Sequence, residues 1–195
     1  MDPHRVSHTP TDGRPLKDFD TLKRVHTSNG GHSMLELCEQ RSTGELWMVK
    51  IINKGLARKA LRRSLSRNSV SPMSRIENEV AVLERLNDGH PNVVGTAQVI
   101  DDEVNQMLYI VMDYLEGGPA MRWNAISNRY DATEDHKACY GLDPDTARSY
   151  FADAVAGLQH LHQIQVVHRD LKPEVGSLPL LSAEPTPWVY GCHDR

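Results

Sequence analysis

Between Phe19 and Met112 the chain holds five short extended segments, and only one stretch among them has a clear helical period. The segments are Phe19–Val25, Met34–Glu39, Leu46–Ile52, Thr96–Asp101 and Gln106–Met112, each rich in apolar and β-favouring residues. Their connections are short and carry turn chemistry: Ser28-Asn29-Gly30-Gly31, Arg41-Ser42-Thr43-Gly44 and Asp102 to Asn105. Short links make neighbouring strands antiparallel. The helical stretch, Arg75 to Leu86, falls after the third segment; Ile76, Val80 and Leu83 share its apolar face, with Asn87 in line. Ser74 followed by Glu77 reads as its capping box, and Asp88-Gly89-His90-Pro91 stops it. The expectation is an α+β fold: a five-stranded antiparallel sheet with one helix.

A different regime follows. Asp113 to Pro119 is a linker, and residues 120–142 read as a short helix and then a polar loop. Asp143-Pro144-Asp145-Thr146 is a strong helix start, with Asp at the cap, Pro in the first turn and an acid at the positive end of the dipole. Ala147, Phe151, Ala154, Val155, Leu158 and Leu161 then recur at helical spacing to about Gln163. The chain divides into a flexible lead-in (1–17), a sheet region with its linker (18–115), a helical region (116–174) and an irregular tail (175–195).

Composition narrows the function classes. Hydrophobic content of 39% and charge of 25% over 195 residues suit a soluble globular protein. The net charge is −4, yet residues 54–75 carry seven basic residues (Lys54, Arg58, Lys59, Arg62, Arg63, Arg67, Arg75) and no acid. This Ser-rich insert, whose first half has room for a short helix, reads as an interaction or regulatory arm on an acidic body. No aromatic residues interleave its charges, which argues against nucleic acid as partner. Three scattered Cys (Cys38, Cys139, Cys192) point to free thiols rather than a disulfide framework. No apolar run approaches a membrane span and no signal core opens the chain, so no membrane partner and a cytoplasmic location are expected.

The most specific motif is His168-Arg169-Asp170-Leu171-Lys172-Pro173. It resembles the catalytic loop of protein kinases, and the resemblance covers about Phe19 to Glu174. The resemblance implies a kinase-like fold: a complete five-stranded sheet lobe with one helix, plus the first helices of a helical lobe cut short. Lys172, two residues after Asp170, is of the serine/threonine type. The implied roles follow residue by residue. Asp170 would accept the proton of a protein hydroxyl, and Lys172 would touch the phosphate being transferred. Lys50, pinned by Glu79, would hold the α- and β-phosphates of ATP. Gly30, Gly31 and Leu35 would lie against the nucleotide. Met48 and Met112 would line the adenine pocket, and the backbone of Asp113 and Leu115 would bind the adenine edge. ATP and magnesium are the implied cofactors, and a protein substrate or regulatory partner is the implied macromolecule. The basic insert and Gly118-Pro119-Ala120-Met121 resemble the calcium/calmodulin-dependent protein kinase kinases, whose calmodulin-binding segment would lie beyond this chain. Within the insert, Arg62-Arg63-Ser64-Leu65-Ser66 and Ser71-Pro72 fit phosphorylation motifs, beside the plain alternative of a solvated loop.

Four departures bear on activity. Ser28 and Ser33 stand where the family has the first and third glycines of its phosphate loop. Met48 replaces a small residue against the adenine. Val175 replaces the magnesium-binding Asn and has no oxygen to offer. No Asp-Phe-Gly follows. The expectation is a truncated product with no protein ligand for magnesium: a serine/threonine kinase by family with impaired transfer, or else a non-catalytic kinase-like interaction module. A cut helical lobe would also leave Phe151, Val155, Leu158 and Leu161 short of partners, at about 1.5–3 kcal/mol for each large side chain left wet.

Overall fold

The computed structural model describes residues 7–8, 15–28, 30–63, 71–86, 89–132, 142–169 and 171–172. The chain forms two compact units, one of Met1–Asn87 with Thr96–Tyr114 and one of Asp88–Gly95 with Leu115–Arg195.

The first unit is a sheet with helices. Its strands are β1 (Ser7–His8), β2 (Phe19–Thr27), β3 (Ser33–Gln40), β4 (Leu46–Asn53), β5 (Thr96–Asp102) and β6 (Met107–Asp113). They lie in the order β1-β5-β6-β4-β3-β2, and β2 to β6 pair antiparallel throughout, as the short turns require for β2-β3, β3-β4 and β5-β6. The expected lead-in holds a surprise: Ser7–His8 adds to the sheet in parallel with Ile100 and Asp101 of β5. An edge strand offers a row of unpaired amides and carbonyls, and a two-residue partner is enough to cover part of it.

Helices α1 (Lys54–Arg63) and α2 (Pro72–Arg85) belong to the same unit, α1 filling the first half of the basic insert, where the sequence leaves room for a short helix. Asn53 starts α1 by accepting the Leu56 amide at 2.8 Å, and Lys54 is buried in an ion pair with Asp101. Helix α2 begins three residues before the expected start. Its cap is Ser71, whose hydroxyl accepts the Ser74 amide at 3.0 Å, with Pro72 in the first turn. Ser-Pro is itself a start signal, because Pro lacks the amide that a first-turn residue leaves unpaired. The Ser64–Ser66 motif lies outside the described residues.

Side-chain alternation sorts the sheet into two faces. Cys38, Val49, Ile51 and Val111 form a buried cluster on one, backed by Leu16, Phe19, Met34 and Trp47. Cys38 is free, and burial pushes its thiol above the ordinary range, so it acts as a small apolar side chain. Glu36 shares that face. It accepts Arg24 Nε at 3.0 Å and Nη2 at 2.9 Å, and Thr21 Oγ1 at 3.1 Å, which satisfies a buried carboxylate. The opposite face buries Ile52, Leu108 and Ile110.

The second unit contains the hairpin β7 (Met121–Asn124) and β8 (Arg129–Ala132), then α3 (Pro144–Gln163). A hairpin replaces the expected short helix. Trp123 and Tyr130 meet edge-to-face at 5.1 Å across the strands, and the Asn124 carboxamide oxygen accepts the Ile126 and Ser127 amides to close the turn. Helix α3 starts as the sequence implies, with Asp143 accepting the Asp145 and Thr146 amides at 3.1 and 3.0 Å. It ends in a Schellman motif: Val166 donates to Leu161 at 2.8 Å, Gln165 donates to His162 at 3.0 Å, and Gln165 takes the left-handed conformation at φ 59°.

The buried face of α3 is Tyr150, Ala154, Gly157 and Leu161, whereas Phe151 stays 72% exposed and Val155 is exposed as well. Leu161, expected to be short of partners, is fully packed. Leu158 is half-buried. Gly157 explains the close packing: a Cβ there would stand 2.7 Å from the Asn92 carbonyl oxygen. His90 stacks on His160 at 4.8 Å beside that contact.

Candidate active site

Strand register gathers four of the expected site residues. Leu35 pairs with Lys50, Met48 pairs with Met112, and Met48 and Lys50 are two apart on β4. Directly opposed residues point the same way, so Leu35, Met48, Lys50 and Met112 share one face of the sheet. It is the face that buries Ile52 and Ile110, Lys50 being opposite Ile110.

Helix α2 supplies the counter-charge. Its Ile76, Leu83 and Leu86 are buried, with Leu86 just past the last turn, and that orientation carries Glu79 round to the sheet. Lys50 Nζ donates to Glu79 Oε1 at 2.6 Å, with the side chains 17% and 11% exposed. The pair is mostly removed from water, so the geometry of the ammonium is held rather than averaged. A lysine so fixed presents its remaining N–H donors in one direction.

The loop before β3 takes its shape from two glycines. Gly30 and Gly31 adopt φ of 97° and 69°, and a Cβ at Gly31 would meet nothing within 4 Å. Only glycine takes such a pair of backbone angles cheaply. Neither Ser28 nor Ser33 is left-handed, so the missing glycines are not needed for the turn itself.

Asp113 ends β6 opposite Trp47 with its side chain exposed, and the chain passes into the second unit after Tyr114. Leu115 is half-buried, and its carbonyl accepts the amide of Gly118, which turns the chain at φ 64°. That turn delivers Ala120 into contact with Tyr150. Burial, then the nearby carboxylates of Asp143 and Asp153, push the Tyr150 phenol up to about 12, so it stays neutral.

After α3 the chain enters the His-Arg-Asp run. His168 is buried, in the wall of a small apolar pocket with Asn92, Val93, Leu161 and Leu171. Arg169 is exposed and left-handed at φ 66°. Lys172 is half-buried. Asp170, Pro173 to Val175 and the tail lie outside the described residues. No local signal marks the role of Ser28, whose hydroxyl accepts the Ser33 amide at 3.0 Å and closes the glycine turn.

A model of the protein kinase domain matches residues 26–175. The chain belongs to the protein kinase family. The serine/threonine-protein kinase ssp1 of Schizosaccharomyces pombe is 34% identical over 158 residues, which is 81% of this chain and 21% of that protein. The serine/threonine-protein kinase GRIK1 of Arabidopsis thaliana is 32% identical over 172 residues, covering 82% of this chain and 40% of the relative. A calcium/calmodulin-dependent protein kinase kinase of Caenorhabditis elegans is 30% identical over 170 residues, with 81% and 28% covered. Two of these relatives are serine/threonine-protein kinases by name. The kinase-family chain thus spans between a fifth and two-fifths of their length. Among the described residues, no helix is long and apolar enough to cross a membrane.

Proposed function

We propose that this chain is part of an ATP-dependent protein serine/threonine kinase, with phosphoryl transfer slowed by its departures from the family. The Lys50–Glu79 ion pair at 2.6 Å carries the reading. It sits on the sheet face shared by Leu35, Met48 and Met112, which offers an apolar surface for a purine beside a fixed cation for its phosphates. ATP supplies the phosphoryl group. Lys50 would hold its α- and β-phosphates, with Gly30 and Gly31 close above them, and the backbone of Asp113 and Leu115 would take the adenine edge. Asp170 would orient the acceptor hydroxyl and take its proton, with Lys172 at the transferred group. The residues do not fit magnesium equally well, because Val175 offers no oxygen where the family has its Asn. No step is assigned to a metal held by this chain. A cytoplasmic location and a protein substrate complete the proposal. Since the nematode relative is named a kinase kinase, another protein kinase is the substrate class to try first.

The test is ATP titration of the whole chain, with and without magnesium, followed by transfer of labelled phosphate to a kinase-inactive protein kinase. Saturable ATP binding that disappears in Lys50→Met is expected, with slow transfer. Binding indifferent to Lys50→Met would overturn the assignment. A second reading is a non-catalytic kinase-like interaction module, favoured by Val175 and by the serines flanking the glycine turn. Binding without any transfer would favour it.

A further inference from the structure

A loop that cradles phosphate does so with free backbone N–H groups pointing into a concavity. In the turn at Gly30-Gly31 three of those groups are committed inward. The Ser28 amide donates to the Ser33 carbonyl at 2.9 Å, and the Gly31 amide donates to the Ser28 carbonyl at 2.9 Å. The Ser33 amide donates at 3.0 Å to the Ser28 side-chain hydroxyl. The first two bonds belong to the backbone and would form with any residue at 28. The third depends on the serine.

We infer that the Ser28 hydroxyl is an internal latch on the phosphate loop, occupying the Ser33 amide that a bound nucleotide's phosphate would otherwise take. Glycine at 28 would leave that amide free. Serine satisfies it, so binding must first break a hydrogen bond and swing the hydroxyl away. The latch therefore weakens binding of the phosphate-bearing part of a nucleotide and leaves the nucleoside part untouched. Ser33 contributes only through its backbone, so the specificity rests on one side chain. The inference rests on the nucleotide-binding reading above.

The experiment compares the full chain with Ser28→Ala and Ser28→Gly. Calorimetric titration with ATP and with adenosine is paired with amide exchange of Ser33 followed by nuclear magnetic resonance. ATP affinity should rise roughly three- to tenfold in both variants, the worth of one intramolecular hydrogen bond, while adenosine affinity stays level. Ser33 exchange should accelerate by a similar factor. Ser28→Ala is the cleaner variant, since it keeps the backbone conformation and removes only the hydroxyl. Equal or weaker ATP binding in Ser28→Ala would overturn the latch, and so would a parallel rise for adenosine. Unchanged Ser33 exchange would overturn the contact itself, whatever the nucleotide result. Accelerated exchange with no ATP binding by any form would instead sink the nucleotide reading, and with it the latch as a control on binding.

Discussion

The two units solve the same problem differently. In the first, buried charges have partners within the unit: Glu36 with Arg24, Lys54 with Asp101, Lys50 with Glu79. Large apolar residues are buried on both faces of its central strands, with Val49, Ile110 and Val111 fully covered, while Leu22 and Val25 of the outer strand β2 stay exposed. The second unit is built around one long helix, and that helix keeps Phe151 and Val155 in water while packing Gly157 hard on Asn92. The difference teaches that, among the described residues, the sheet unit pairs its buried charges internally, whereas α3 of the helical unit is packed along one stripe. Apolar surface left exposed contributes nothing to folding, so local opening should begin in the second unit.

The sharpest way to break this contrast is at Lys50. Lys50→Met leaves the Glu79 carboxylate nearly buried without its cation, which should cost roughly 3 kcal/mol in denaturant unfolding. Pairing it with Glu79→Leu should recover most of the stability but not ATP binding. A single mutant as stable as the parent would mean that the first unit does not depend on its internal charge pairing. Next in size is Gly157→Ala. Helix propensity alone favours alanine by about 1 kcal/mol, but the 2.7 Å approach to a backbone oxygen forces a shift. Overpacking of this kind costs about 1–3 kcal/mol, so a net loss is expected, read as a lower melting temperature. A gain would show that the Asn92 contact is slack.

Gln165→Gly works in the other direction. Gln165 holds a left-handed angle that glycine adopts freely, so the substitution should stabilise the end of α3 by up to about 1 kcal/mol. Slower exchange at Ile164 to Val166 would register it. Acid should weaken the second unit slightly. Burial, and then the neighbouring His160, hold His90 below its ordinary value of 6.5. As pH falls through that value the unfolded chain binds a proton the folded one resists, so stability drops below about pH 6.5. Melting curves at pH 7.5 and 5.5 should show this for the parent and less of it for His90→Phe. The smallest effect belongs to Phe151→Ser, expected within about 0.5 kcal/mol because the ring is already wet. A large loss there would place Phe151 under cover and dissolve the contrast between the units.

The places where sequence reading fell short have a common cause. Met121 to Ala132 forms a hairpin because Trp123 and Tyr130 find each other across a turn that Asn124 closes, and neither contact leaves a periodic trace. The start of α2 was legible, since Ser71-Pro72 is a cap followed by a first-turn proline. The same Ser-Pro also fits a modification motif, and Ser74 with Glu77 offers a competing cap three residues later. The Ser7–His8 strand has no local signal at all; it exists because β5 offers an edge.

By itself the sequence determined the five strands β2 to β6, the existence of α2 and α3, the cap at Asp143, the glycines of the turn before β3 and the family, all through local chemistry and spacing. It nominated Lys50 and Glu79, 29 residues apart. That their side chains meet at 2.6 Å was decided by the register of β4 in the sheet and the rotation of α2 upon it. The stripe of α3 that is buried was likewise a tertiary decision, because Phe151 and Leu161 are equally apolar and only the neighbours differ. So was the Ser28 hydroxyl on the Ser33 amide, since a serine in place of a glycine reads as a loss until the backbone shows what its oxygen holds.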